Sequence, residues 1–141
     1  MLPIVDGLPS EEQITEVVHT FYSRVRQDEL LAPVFARRIQ PDDWPRHLAT
    51  MVDFWSSILR TSGRYRGRPL AVHGQLGELP PHLWQRWLNL FTASAEQCCP
   101  PEIAELFVGR ARQIAGHLSR QLATAHEASV LGQRAPEAQP V

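Results

Sequence analysis

The chain has 141 residues, 43% of them hydrophobic and 8% aromatic, which suits one soluble domain with a core of its own. Against 15 acidic side chains stand 14 basic ones, and no cluster of like charge is long enough to form the stripe a nucleic acid follows. Every basic residue is an arginine, so no lysine is present for a Schiff base or a phosphate-binding loop, and no apolar run is long enough to cross a bilayer.

The first six residues, Met1 to Asp6, carry neither a basic n-region nor a long apolar stretch, which predicts a cytoplasmic protein. Ser10-Glu-Glu-Gln13 has the form of a capping box and predicts a helix start. Ile14, Val17, Val18, Phe21, Tyr22 and Val25 then recur at three-and-four spacing, one apolar face that Asp28 and Pro33 bring to an end. The stretch from Leu30 to Ala36 has Pro33 in its middle and suits short helical turns, with Phe35 pointing inward.

Pro41-Asp42-Asp43 is a second start signal, with Asp42 or Asp43 as cap and Pro45 tolerated in the first turn. Trp44, Leu48, Met51, Trp55, Ile58 and Leu59 make the stripe that follows, and His47 borders it. Thr61 to Gly67 reads as a loop. Pro69 to His73 has room for only one or two turns before Gly74 stops it, so that helix has little stability of its own. Pro80-Pro81 opens the next helix, whose face carries Leu83, Trp84, Trp87, Leu88, Phe91 and Ala95. Pro100-Pro101-Glu102 opens the last, with Ile103, Phe107, Ala111, Ile114, Leu118 and Leu122 in register. No segment alternates with period two, so the class is all-α. One domain is expected over 1–128, with 129–141 a flexible C-terminal tail. Cys98 and Cys99 are adjacent, which disfavours a bond between them and supplies no spaced metal framework.

Four residues far apart in the chain carry candidate chemistry. His73 ends a short helix beside a loop, where a neutral imidazole can present a nitrogen to iron; the same place lets a histidine simply cap the helix C-terminus. His47 either shields the edge of its apolar face or turns a nitrogen into a pocket. Tyr22 and Trp87 complete apolar faces and pack in the core by default, but their polar tips require partners if buried. One axial imidazole opposed by a phenol, a second imidazole and an indole is the chemistry of a haem pocket for a small gas. A hydrogen bond to partly charged bound oxygen contributes about 1.5–3 kcal/mol.

The order Phe21-Tyr22, Phe35, Trp44-x-x-His47, Phe54-Trp55, Tyr65-x-Gly67-x-Pro69-Leu70-x-x-His73 and Trp87-x-x-Leu90-Phe91 resembles the bacterial truncated haemoglobins, most closely their group III. The resemblance runs from about Glu16 to Leu122, and the glycine pairs of the other two groups are missing. It implies a globin-like, two-over-two sandwich of helices around haem b. It places the proximal iron ligand on His73, and the distal phenol, imidazole and indole on Tyr22, His47 and Trp87. Met51 takes the apolar distal position, Phe35, Phe54 and Ile114 match pocket-lining positions, and Tyr65 falls within the shared motif. Arg64, Arg66 and Arg68 are candidates for the haem propionates, which a guanidinium fork suits, or else form a solvated basic loop.

Three functions are open to such a chain. The first is reversible binding of oxygen, nitric oxide or carbon monoxide at a five-coordinate iron. The second is a nitric oxide dioxygenase or peroxidase-like activity in the same pocket. A dioxygenase would need a separate reductase, because no flavin or nicotinamide motif is present. The third is an all-α interaction module without cofactor, in which the histidines and tryptophans are only core and surface.

Overall fold

A computed structural model describes residues 7–65 and 80–130, those from 117 onward as backbone alone. Helix α1 (Glu11–Gln27) starts where the capping box places it: Ser10 Oγ accepts from the Gln13 N–H at 3.0 Å, and the Ser10 N–H donates to Gln13 Oε1 at 2.8 Å. Its buried face is the predicted one, Ile14, Val17, Val18, Phe21, Tyr22 and Val25. After Asp28 comes the single-turn helix α2 (Ala32–Ala36), which buries Val34 and Phe35.

A 3-10 turn (Pro41–Asp43) leads into α3 (Trp44–Arg60). Neither aspartate caps it through its side chain. Asp43 has near-helical dihedrals, φ −92° and ψ −7°, where a capping side chain needs an extended residue, and its carboxylate accepts from Arg46 Nη2 at 2.6 Å instead. Helix α3 stops at Thr61, a non-glycine residue in the left-handed region with φ 55°.

Helices α4 (Pro81–Cys98) and α5 (Pro101–Val130) follow, joined by Cys99 and Pro100, and no strand occurs among the described residues. The class is therefore all-α, as predicted. Among these residues no helix is long and apolar enough to cross a membrane. Both cysteines are free, and burial pushes the Cys99 thiol up to about 11.

Helix α1 packs against both α3 and α4, and α4 packs against α5. The rings at the centre are shared among all four. Phe91 of α4 stacks on Trp55 of α3 with centroids 4.9 Å apart, takes the edge of Phe21 of α1 at 5.2 Å, and meets Phe107 of α5 at 6.3 Å. On α5 the buried residues are Ala104, Phe107, Val108, Ala111 and Ala115, while Ile103 and Ile114 are half-buried. Phe107 and Ala111 are buried as the periodicity predicts, Ile103 and Ile114 pack against the core from its edge, and Ala104, Val108 and Ala115 are buried beside them.

Polar ties at the ends hold the helices in register. Glu11, in the first turn of α1, accepts from Arg64 Nη2 at 3.0 Å and Nη1 at 3.2 Å, and from the buried Ser56 hydroxyl of α3 at 2.6 Å. At the other end of α1, Arg86 of α4 donates to Asp28. Arg24 reaches Gln97 across the same interface.

Candidate functional site

The predicted distal residues come from three helices, and two of them meet directly. Tyr22, only 4% exposed, lies on the side of α1 that faces α3. Its ring stands edge-on to Phe35 at 6.0 Å and to Phe21 at 4.8 Å, and is tilted against Trp44 at 5.7 Å. The His47 ring closes on it at 5.0 Å. Burial drives the Tyr22 phenol well above its ordinary pKa, so the group stays a neutral hydroxyl.

His47 sits one turn into α3 because the 3-10 turn sets the start of that helix at Trp44. Its Nε2 is fully buried, and its ring takes the edge of Trp44 at 5.4 Å as well as that of Tyr22. Trp44 in turn carries the Arg26 guanidinium 4.6 Å from its ring centroid, on the outer side of the cluster. Met51 and Phe54 continue the same α3 face inward and are almost wholly buried.

Trp87 approaches from α4 with a buried Nε1 and 2% exposure. Its ring stacks on Phe91, one turn along, at 5.9 Å and 9°, and meets the edges of Phe21 at 5.7 Å and Trp84 at 5.8 Å. It joins Tyr22 and His47 through Phe21, whose ring touches both Tyr22 and Trp87. Phenol, imidazole and indole therefore belong to a single aromatic cluster, with Phe35 at its α2 edge.

Tyr65 follows α3 and folds back on it, its N–H donating to Ser57 Oγ at 2.9 Å and its ring edge-on to Phe54 at 5.2 Å. Its hydroxyl is buried without a hydrogen-bond partner among the described residues, and burial raises its phenol pKa. Ile114 is half-buried on α5. His73 and Arg68 lie outside the described residues, as does Arg66.

Arg64 is committed elsewhere. Two of its nitrogens are on Glu11 and its Nε donates to Asp53 Oδ1 at 2.8 Å, so its fork ties α1 to the end of α3. Trp84, buried on its predicted face, has no hydrogen-bond partner for Nε1 among the described residues, and the sequence missed the Asp28–Arg86 pair. An aspartate after a helix hints at a turn, but nothing local signals a partner 58 residues away. A groove of about 410 Å³ between α4 and α5, lined by Thr92, Glu96, Cys99, Ala104, Glu105 and Arg112 among others, contains none of the predicted site residues.

No family model matches the chain. A group 3 truncated hemoglobin from Campylobacter jejuni is 33% identical to it over 115 residues, which covers 80% of this chain and 91% of the relative. The crystal structure of a group III truncated hemoglobin from Campylobacter jejuni aligns with a TM-score of 0.75 at 32% identity, over 80% of this chain and 91% of that one.

Proposed function

This chain belongs to the group 3 truncated haemoglobins, and from that membership we propose that it holds one haem b through His73 and reversibly binds oxygen, nitric oxide or carbon monoxide. Its all-α architecture is a globin fold. The observation that carries the reading is the buried, neutral Tyr22 hydroxyl beside the buried Nε2 of His47. A phenol and an imidazole brought together inside an aromatic cluster make a polar face that suits a small polar ligand.

The residues fit the group. Haem, when bound, would supply an iron able to take a diatomic ligand. His73 would present an imidazole to it. Met51, Phe54, Phe35 and Ile114 offer the apolar walls a flat macrocycle needs, and the buried Tyr65 hydroxyl supplies a polar group at the edge of the wall. Arg68 would pair with a propionate.

On the distal side, Tyr22 donates a hydrogen bond to a polar ligand, and its raised pKa keeps the proton in place. Trp87 can only donate, through Nε1. His47 donates or accepts according to its tautomer and, packed against Trp44 and Tyr22, also controls the space around them. Ligand exchange needs no further protein, whereas nitric oxide turnover would draw electrons from a separate reductase.

The visible spectrum of the purified protein, reduced with dithionite and exposed to carbon monoxide, tests the reading alongside His73→Ala. A Soret band that moves with carbon monoxide in the parent, and is lost or altered in the variant, is the expected result. No Soret band after haem supplementation would overturn it and leave the cofactor-free helical module.

A further inference from the structure

Asp28 joins three helices at one side chain. Its own N–H donates to the Val25 carbonyl at the end of α1, and its carbonyl accepts from Ala32 as α2 begins. Its Oδ2 accepts from the backbone N–H groups of Leu30 at 3.1 Å and Leu31 at 2.9 Å. Its Oδ1 accepts from Arg86 of α4 through both Nε, at 2.9 Å, and Nη2. The carboxylate is 4% exposed and the guanidinium 42%, so the charge held inside is the acid and the arginine reaches in to meet it.

Arg86 immediately precedes Trp87 on α4, and Asp28 follows Tyr22 by less than two turns of α1. The pair therefore links the two helices that carry the phenol and the indole. The Trp87 ring stacks on Phe91 of its own helix, a contact that travels with α4, and meets α1 at the edge of Phe21. An edge-to-face contact tolerates sliding, whereas two nitrogens of a planar fork on one fixed oxygen do not. The remaining polar ties across this interface, Arg24 to Gln97 and Cys98 Sγ to Thr20 Oγ1 at 3.5 Å, lie at the far end of α4.

We propose that the Asp28–Arg86 pair sets the register of α4 against α1 and so places the Trp87 indole relative to the Tyr22 hydroxyl. Arg86 is then a positioning residue for ligand binding, reaching the ligand only through Trp87. The part that concerns the ligand rests on the haem reading above; the part that concerns the register does not.

Arg86→Gln, Arg86→Lys and Trp87→Phe, alone and combined, test this in the full chain as its ferrous carbon monoxide complex. The first readout is the indole N–H resonance of Trp87, identified by its loss in Trp87→Phe; the second is the carbon monoxide dissociation rate. Arg86→Gln is expected to move the resonance and to change the rate by about threefold or more, with helix content unchanged. Arg86→Lys, which keeps the charge but not the fork, should fall between it and the parent. In the Trp87→Phe background the effect of Arg86→Gln on the rate should vanish. An unmoved resonance overturns the inference, as does a rate effect that persists undiminished without Trp87. If Arg86→Gln does not fold, Arg86→Lys carries the same comparison. If the parent shows no carbon-monoxide-sensitive Soret band, the haem reading fails, and the resonance alone decides whether the pair sets the register.

Discussion

The His47 and Tyr22 rings meet edge to face, with centroids 5.0 Å apart and planes 85° from parallel. One comes from the first turn of α3 and the other from the middle of α1, so the contact depends on the whole α1–α3 packing and not on a local motif. It sets a phenol that burial keeps protonated beside an imidazole with a buried nitrogen. Burial thus favours the protonated, donating form of Tyr22.

Tyr22→Phe removes that donor with little change of volume. Haem should be retained, and oxygen dissociation should speed up by about one to two decades, the kinetic equivalent of a hydrogen bond to a partly charged acceptor. Stopped-flow displacement of oxygen by carbon monoxide measures it. An unchanged rate would mean that the hydroxyl does not reach the ligand.

Ser10→Ala deletes one half of the capping box and leaves the Gln13 N–H without its acceptor. The cost should be about 1 kcal/mol, seen as a lower urea midpoint at constant slope. A larger loss would show that the cap supports more than its own helix, through Glu11 and the Arg64 tie.

Stability should fall steeply in acid, and the sign follows from Asp28. The Arg86 guanidinium holds this carboxyl below its ordinary 3.8, so the folded state gives up a proton that the unfolded chain still binds. Its stabilisation is complete above that ordinary value and is lost as pH falls through the lower folded-state pKa. Glu11 adds to the same trend, because Arg64 lowers its pKa from 4.5. Urea melts between about pH 5 and about pH 2 should show a shallower decline in Asp28→Asn than in the parent.

Phe107→Ala should cost about 3–5 kcal/mol, because the ring is fully buried against Trp55 and Phe91 and the neighbouring alanines cannot fill the space. That is a large part of the roughly 5–15 kcal/mol a domain has in total. A thermal melt reads the loss directly.

Arg64→Gln and Arg68→Gln should part company. Arg64 is held by Glu11 and Asp53, so its loss is expected to lower the melting temperature while haem stays bound at the parental rate. Loss of Arg68 should quicken haem transfer to a scavenging apoprotein and leave the melting of the haem-free chain unchanged.

Sequence patterns located the helices well wherever the signal was local. The α1 face could be read residue by residue, because capping box and periodicity agree over its length. On α5 periodicity found the buried Phe107 and Ala111 and the core-flanking Ile103 and Ile114, and left out Ala104, Val108 and Ala115, which are buried as well. Tyr22, His47 and Trp87 were visible as polar tips on apolar faces. Which of them touch was not visible, since Phe21 mediates one pairing and helix packing alone makes the other. Asp28 was legible only as a helix end, because its partner Arg86 is remote in the chain.

Phe21 and Tyr22 are neighbours on α1 that serve different partners, Phe21 the α4 rings and Tyr22 the α3 histidine. Adjacent residues on a helix point about 100° apart, so the angle between the two pocket walls is written into the helix itself. With Asp28 anchored, one inserted residue between Tyr22 and that anchor would swing the phenol off His47 and advance it by about 1.5 Å. This half-helix can absorb exchanges of one side chain for another, but its length is as much a part of the pocket as any atom that lines it.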